Sequence, residues 1–320
     1  MKTIGILTSG GDAPGMNAAV RAVVRAGCEK GMKVYGINRG YNGLMDNDMY
    51  EMNLRSVSDI IQRGGTILYS ARSPKFKTDE GMEQAMAVCK ERRIDGLVVI
   101  GGDGSFRGAR DLSLKGVPCV AIPGTIDNDI GCCDYTIGYD TALNTVMQMV
   151  DRIRDTTESH DRCAVVEVMG RGAGYIALNS GIACGATSIL IPEVEYDFER
   201  DVIDRMKRTQ KTGKVHFVII VSEAIGGVQE MAKRIQAETG VESRATVLGH
   251  VQRGGSPTAK DRIVASQMGY RAVELLEQGI GNRVVAMQKE KILDFDIYEA
   301  LNMKSGIDLN LYKIAQEISI

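Results

Sequence analysis

Gly96-Leu97-Val98-Val99-Ile100-Gly101-Gly102-Asp103-Gly104-Ser105 is the stretch that decides the fold. A short run of large aliphatic residues breaks on glycines and an aspartate, as a parallel strand buried on both faces does when it ends in a turn. The same pattern recurs on either side. Residues 2–7 run into Thr8-Ser9-Gly10-Gly11-Asp12, and residues 119–122 run into Pro123-Gly124-Thr125-Ile126-Asp127-Asn128-Asp129. Farther on, residues 164–169 lead to Gly170-Arg171-Gly172-Ala173-Gly174, and residues 217–221 lead to Ser222-Glu223-Ala224.

Helical patterns fill the spaces between these runs. Residues 16–30 place Ala18, Ala19, Ala22, Val23 and Ala26 on one face behind Pro14-Gly15, and residues 141–155 do the same with Leu143, Val146, Met147, Val150 and Ile153. Residues 82–92 and 263–278 repeat the spacing. Strand, glycine turn, helix and strand make βαβ units, which predicts a doubly wound α/β architecture with right-handed crossovers. Ligands in such sheets bind at the carboxyl ends of the strands, where these Gly/Asp turns fall. A second block of strands and glycine turns, from about residue 140 to 250, predicts a second α/β domain.

Composition narrows the function classes. The 320 residues are 44% hydrophobic and 25% charged, which is ordinary globular composition. Lys and Arg number 39 against 41 Asp and Glu, so bulk charge supplies no attraction for nucleic acid or an anionic membrane. No window approaches the roughly 20 apolar residues of a membrane span. The opening residues lack the long apolar region of a signal peptide, so the expected location is the cytoplasm. The seven cysteines include no C-x-x-C pair, do not cluster with the three histidines, and are expected to be reduced structural thiols, the adjacent Cys132 and Cys133 included.

Glycine turns expose backbone N–H groups beside helix N-termini and let phosphate approach closely. Several such turns carrying Asp103, Asp127 and Asp129 point to a phosphate and metal site, because carboxylates there can hold Mg²⁺ or accept a hydroxyl proton. Arg72, Arg162, Arg171, Arg244 and Arg253 lie near glycine, serine or histidine, and the planar guanidinium suits phosphate oxygens. G-x-x-x-x-G-K-[ST] is absent, and Gly102 to Gly108 is one residue too long for the dinucleotide fingerprint. H-E-x-x-H and G-x-S-x-G are also absent, which removes the common zinc-protease and α/β-hydrolase readings.

Taken in order, the motifs resemble those of bacterial ATP-dependent 6-phosphofructokinases of the A type. Those that carry the likeness are Ile4 to Asn17 (IGILTSGGDAPGMN), Gly101 to Ser105, Pro123 to Asp129, Val168-Met169-Gly170-Arg171, and Leu248 to Pro257 (LGHVQRGGSP). The likeness spans nearly the whole chain. It implies two α/β domains of the phosphofructokinase fold: 1–138 with 252–302 for ATP, and 139–251 with 303–320 for fructose 6-phosphate.

The resemblance implies that Asp127 is the base for the C1 hydroxyl, flanked by Thr125 and Asp129, with Asp103 as the Mg²⁺ carboxylate. Arg72, Arg171 and the Gly11 N–H would stabilise the phosphoryl group in transfer. ATP would be held at Gly11, Arg72, Ser73, Lys77, Gly102, Asp103, Gly104, Ser105 and Gly108. Fructose 6-phosphate would be held by Met169, Gly170, Arg171, Glu223, His250 and Arg253, with Arg162 and Arg244 reaching in from a neighbouring copy of a homotetramer. Arg21, Arg25, Arg55, Arg154, Lys214 and His216 would serve an effector site for ADP or phosphoenolpyruvate. Leu54, Thr187 and Thr212 stand where the family pattern has charged residues, the last if a one-residue insertion lies near 199–200. These departures predict an altered effector response, with ADP activation the more impaired.

Pyrophosphate-dependent relatives differ from this pattern by Asp at the position of Gly104 and Lys at that of Gly124. Glycine at both predicts ATP as the phosphoryl donor. A non-catalytic nucleotide sensor on the same fold is expected to lack Asp127 or Arg171, and the spacing at 102–108 opposes a Rossmann dehydrogenase.

Overall fold

In the computed structural model, residues 1–304 and 306–319 are described. Ser305 and Ile320, which the sequence reading puts in the sugar-phosphate domain, lie outside the described residues. In chain order the elements run β1 Thr3–Ser9, α1 Met16–Glu29, β2 Lys33–Ile37, α2 Tyr41–Asp46, β3 Met49–Met52, α3 Asp79–Glu91, β4 Gly96–Gly101, α4 Asp103–Leu114, β5 Cys119–Pro123 and α5 Tyr139–Ser159. They continue as β6 Cys163–Val168, α6 Tyr175–Ala183, β7 Ser188–Leu190, α7 Asp204–Gln210, β8 Phe217–Ser222, α8 Val228–Thr239 and β9 Ser243–Val247. The last are α9 Ala259–Glu277, β10 Arg283–Gln288, β11 Lys291–Asp296, α10 Ile297–Asn302 and α11 Leu309–Ile318.

The chain divides into two compact units: Met1–Ile126 with Ile130–Thr141 and Arg253–Ser305, and Asp127–Asp129 with Ala142–Gln252 and Gly306–Ile320. The first holds a seven-stranded sheet in the order β11-β10-β5-β4-β1-β2-β3. Its centre is parallel, and every residue of β4 is buried, as the apolar run 96–100 predicts. Both edges are antiparallel, β3 against β2 and β11 against β10. The β10–β11 turn sets Lys289 and Glu290 at φ 48° and 62°, a two-residue reversal made without glycine. The Lys289 N–H donates to Asp134 Oδ2 at 2.9 Å, which fixes one end of that turn.

Helices α1 and α9 pack closely because small residues meet. A Cβ on Gly269 would fall 2.8 Å from both Ala19 O and Ala22 Cβ, so only glycine permits this approach.

The second unit has a four-stranded parallel sheet, β7-β8-β6-β9. Its core joins Val165, Leu190, Val202, Met206, Phe217, Ile219, Val221 and Ile235, all essentially inaccessible to solvent. Glu199–Ile203 forms a π turn leading into α7, and it includes residues 199–200, the position considered for a one-residue insertion. A π turn accommodates one extra residue in a helix and restores the register after it.

Among the described residues, no helix is long and apolar enough to cross a membrane. All seven cysteines are free, and six are buried. Burial pushes the thiols of Cys89, Cys119, Cys132 and Cys163 up to about 12, so they are poor nucleophiles near neutral pH.

Candidate active site

Strand register gathers the first unit's turns. Ser9 of β1 lies opposite Gly101 of β4, and Gly101 lies opposite Pro123 of β5. Three neighbouring strands therefore end level, and the turns at Gly10-Gly11, Gly102-Asp103-Gly104 and Gly124-Thr125 stand side by side. This is the carboxyl edge of the sheet, where the sequence reading expected a ligand.

Hydrogen bonds lock that edge. Ser105 Oγ donates to Ser9 O at 3.1 Å, and the Gly124 N–H donates to Gly101 O at 2.9 Å. The loop carrying Arg72 and Ser73 is tied to the first turn by Ser70 Oγ to Gly10 O at 2.7 Å and by the Gly10 N–H to Ala71 O at 3.3 Å. Arg72 is exposed there, and the exposed Lys77 ends a 3-10 turn centred on the buried Phe76. Gly102 occupies the N-cap position of α4, leaving the N–H groups of that helix's first turn at the same edge.

The glycines at this edge have different physical reasons. A Cβ on Gly104 would meet nothing within 4 Å, so protein packing does not require glycine there, and the space is open to a ligand. At Gly124 a Cβ would sit 2.9 Å from Ile100 Cγ2 and 3.2 Å from Met16 Cε, so packing already fills that place. Gly108 faces the Tyr41 ring, 2.8 Å from where a Cβ would be. Tyr41 in turn stacks on Phe76, ring centroids 3.9 Å apart, and donates its hydroxyl to Ser105 O at 2.6 Å. Sequence reading missed Tyr41, whose contacts all come from distant segments.

Asp103 opens α4 with its carboxylate partly exposed and paired to Arg107 at 2.8 and 3.1 Å. The described residues contain no cluster of three or more His, Cys, Asp or Glu side chains suited to a metal. A single carboxylate beside open space fits Mg²⁺, which commonly takes one or two protein carboxylates and completes its shell with phosphate oxygens and water. Arg107 would have to yield its bond for Asp103 to do so.

Beyond β5 the run Thr125 to Asp129 is nearly enclosed: Thr125, Asp127 and Asn128 are 7%, 5% and 6% exposed. Asn128 has a φ of 54°, which asparagine tolerates better than most residues. Thr125 O accepts from Thr136 Oγ1 at 2.6 Å, and Gly124 bridges to Ile137. Arg253 belongs to the first unit. Its Nη1 donates to Asp12 O at 3.3 Å, and its guanidinium lies against Gly11.

In the second unit the strand ends also align: Val168 of β6 stands opposite Ser222 of β8, and Glu167 opposite Val247 of β9. The residues that follow, Met169 to Arg171, Glu223, and Leu248 to His250, thus emerge at one edge. Glu223 Oε1 accepts the N–H groups of Gly170 at 3.1 Å and Arg171 at 2.5 Å, holding the exposed Arg171 at a φ of 59°. Gln252 is fully buried, accepts the Met169 N–H on Oε1 at 3.2 Å and donates Nε2 to Gly249 O at 2.9 Å. It couples the turn bearing Met169 to the turn bearing the exposed His250. Sequence reading quoted Gln252 inside a motif without giving it a role.

Arg162 and Arg244 share one carboxylate. Glu242 Oε2 is 2.9 Å from Arg162 Nε, and Glu242 Oε1 accepts from Arg244 Nη2 at 2.9 Å. Hydrogen bonding to Arg162 first, and then to Arg244, holds the Glu242 carboxyl below its ordinary value.

The residues singled out for an effector occupy both units. Arg21 and Arg25 lie one turn apart on α1, and burial together with Arg25 lowers the pKa of Arg21. Arg25 and the exposed Leu54 line a cavity of about 460 Å³ with Ala22, Glu29 and Tyr270. Arg55 is exposed next to it in sequence. In the second unit Arg154 donates to Cys184 O, and Lys214 Nζ lies 3.4 Å from Thr187 Oγ1. Burial, then Arg154, lowers the pKa of Lys214. Thr187 is fully buried and Thr212 exposed, while His216 is half-buried just before β8.

Comparison with known proteins bears on the family and the fold. The phosphofructokinase family model matches residues 3–276. An ATP-dependent 6-phosphofructokinase of Clostridium botulinum strain Hall is 56% identical over 319 residues, covering 100% of both chains. Phosphofructokinase from Saccharomyces cerevisiae superposes with a TM-score of 0.89 at 34% identity, over 100% of this chain and 48% of the yeast chain, so this chain spans about half the yeast length. A pyrophosphate-dependent phosphofructokinase from Marinobacter aquaeolei reaches a TM-score of 0.87 at 20% identity, covering 97% of this chain and 86% of its own, a likeness of fold alone.

Proposed function

The chain belongs to the phosphofructokinase family, and we infer from that membership that it catalyses ATP-dependent phosphorylation of fructose 6-phosphate at C1, yielding fructose 1,6-bisphosphate and ADP. The observation that carries the choice of donor is the pair Gly104 and Gly124. Open space at Gly104 leaves room for the α-phosphate of ATP. At Gly124 a Cβ would crowd Ile100 and Met16, so the lysine of pyrophosphate-dependent relatives would have to displace them. A coupled assay of purified protein with fructose 6-phosphate, run separately with ATP and with pyrophosphate, tests this reading. Turnover with pyrophosphate and little with ATP would overturn it.

The proposed chemistry follows from charge placement, since phosphoryl transfer depends mostly on positioning and electrostatic stabilisation. Asp127 accepts the proton of the C1 hydroxyl as that oxygen bonds to the γ-phosphorus and the bond to ADP breaks. Thr125 and Asp129 orient the sugar on either side of it. Arg171, Arg72 and the Gly11 N–H meet the charge on the transferring group. The α4 N-terminus, with Gly102, Gly104 and Ser105, cradles ATP phosphates, and Ser73 and Lys77 flank the nucleotide. Gly108 serves the same pocket indirectly, by seating Tyr41 against α4. Asp103 would hold Mg²⁺, which supplies charge neutralisation on the phosphates when bound.

Met169, Gly170, Glu223, His250 and Arg253 hold fructose 6-phosphate. In a homotetramer, Arg162 and Arg244 of a neighbouring copy complete the grip on its 6-phosphate, and Glu242 keeps the two cations together. Arg21, Arg25, Arg55, Arg154, Lys214 and His216 form a regulatory anion site for ADP or phosphoenolpyruvate. Its response is altered by Leu54, Thr187 and Thr212. A cytoplasmic setting suits a reaction between two water-soluble phosphates, and it is proposed together with this activity.

A further inference from the structure

We propose that Asp261 is a positioning residue for the transfer reaction, acting on the Thr125 to Asp127 run through the segment from Tyr135 to Thr141; the proposal rests on the phosphoryl-transfer reading above. Asp261 lies in the first turn of α9 and is completely inaccessible to solvent. Its carboxylate accepts four hydrogen bonds. Oδ1 takes the Tyr135 hydroxyl at 2.5 Å and the Gly138 N–H at 2.7 Å. Oδ2 takes the Thr141 N–H at 2.9 Å and the Thr141 hydroxyl at 2.5 Å. All four donors come from one short strap, so a single buried group determines its path.

That strap is fastened at its other face to the chain leaving β5. Thr136 Oγ1 donates to Thr125 O at 2.6 Å, and the Ile137 N–H donates to Pro123 O at 2.9 Å. Thr125 is two residues before Asp127 in the chain. The α9 side of the hub is equally connected: Thr258 donates its N–H to Thr141 Oγ1 at 3.0 Å, and Thr258 Oγ1 accepts the Asp261 N–H at 3.3 Å. The chain entering α9 here has just come from Arg253. One carboxylate thus anchors both the segment that presents the proposed base and the segment that leaves the proposed sugar-phosphate arginine.

A buried carboxylate is an expensive way to join two segments. Burial pushes the Asp261 carboxyl up, and the bonds from Thr141, Tyr135 and Gly138 pull against it. Apolar packing would stabilise such a junction at least as well, but it would not define directions as four hydrogen bonds do. Directional control matters here because small misplacements of reacting groups cost far more in rate than in binding.

The test uses the full-length protein and compares kcat, KM for each substrate and thermal midpoint. Tyr135→Phe removes one donor and Thr136→Val removes the link to Thr125 O, and both keep the packing volume nearly unchanged. Each is expected to lower kcat by about threefold to tenfold, and Asp261→Asn by about 10- to 100-fold, with KM for ATP changed by less than about twofold. Adding Thr136→Val to Asp261→Asn should cost little more, because the bonds act in series. If Tyr135→Phe and Thr136→Val melt at a lower temperature yet keep full kcat per folded molecule, the role is structural only and the proposal fails. These two variants decide the matter if Asp261→Asn does not fold. A wild-type chain that does not phosphorylate fructose 6-phosphate would instead sink the transfer reading itself, which the same assay reports first.

Discussion

The guanidinium of Arg253 rests against the backbone of Gly11, so closely that a Cβ on Gly11 would lie 2.6 Å from Arg253 Nη1. The turn after β1 and the segment before α9 therefore share a surface on which any side chain at position 11 would intrude. The clash is with the movable end of a long side chain rather than with backbone. Gly11→Ala should consequently fold normally and push Arg253 aside. KM for fructose 6-phosphate is expected to rise by about tenfold, the worth of one displaced charge-assisted bond, with the thermal midpoint unchanged. Unchanged KM would show that Arg253 does not hold the sugar phosphate.

Donor choice can be tested at two glycines that respond differently. Gly104→Asp enters open space and should leave stability intact, while lowering kcat/KM for ATP by about 100-fold through like-charge contact with phosphate. Gly124→Lys must displace Ile100 or Met16 and should cost about 1–3 kcal/mol of stability, read by denaturant unfolding. Retained ATP turnover in Gly104→Asp would remove position 104 from the nucleotide site.

Asp127→Ser is expected to lower kcat by about 10²-fold to 10⁴-fold, the usual contribution of a positioned general base. Substrate affinities should change much less, because proton transfer belongs to the transition state. Near-normal kcat in steady-state assays would move the proton to Asp129 or to water.

Acid stability should depend on Asp294. Burial raises its carboxyl pKa, but bonds from Arg271 at 2.8 Å and Arg283 at 2.7 Å outweigh this and leave it below the ordinary carboxylate value. A group with a lowered folded pKa stabilises the fold above its unfolded value, near pH 4, and loses that contribution as pH falls through the folded value. Asp294→Asn should therefore destabilise at pH 7 by about 1–3 kcal/mol and flatten the stability profile below pH 4. Parallel profiles for the two proteins in urea titrations would remove Asp294 from the acid response.

Effector response is the remaining measurement. Each charged contact missing at Leu54, Thr187 or Thr212 is expected to weaken effector binding by about 1–3 kcal/mol. Rate curves against fructose 6-phosphate should shift little on adding millimolar ADP, and less than with phosphoenolpyruvate. Strong ADP activation with an ordinary midpoint would show that Arg55 and its neighbours compensate.

Much of this was legible because parallel strands buried on both faces leave uninterrupted aliphatic runs. The runs 96–100 and 217–221 became β4 Gly96–Gly101 and β8 Phe217–Ser222 within a residue. The sheet edges were not legible. Lys289 and Glu290 reverse the chain with positive φ and no Asn or Gly signal, held by Asp134 from far away in the sequence. Helix α5 begins at Tyr139, ahead of the 141–155 pattern, in the strap held by Asp261. In the site, residues carrying charge into turns stood out, whereas Gln252, Tyr41 and Asp261 did not. Their importance lies in partners brought close only by folding, and no spacing along the chain encodes such partners.

The pairing of β10 with β5, through Arg283 with Val120 and Val284 with Ala121, sets a condition on how the protein is made. As the chain leaves the ribosome, β3-β2-β1-β4-β5 can assemble early, but the outer edge of β5 must wait while the whole of β6 to β9 is synthesised. During that interval an apolar strand, buried along its full length in the finished protein, presents an unpaired edge. Translation speed across residues 124–282 therefore governs how long newborn chains can pair with one another instead of with their own β10. A nascent chain halted at residue 252 would carry that open edge permanently, and would be expected to self-associate or be held by a chaperone.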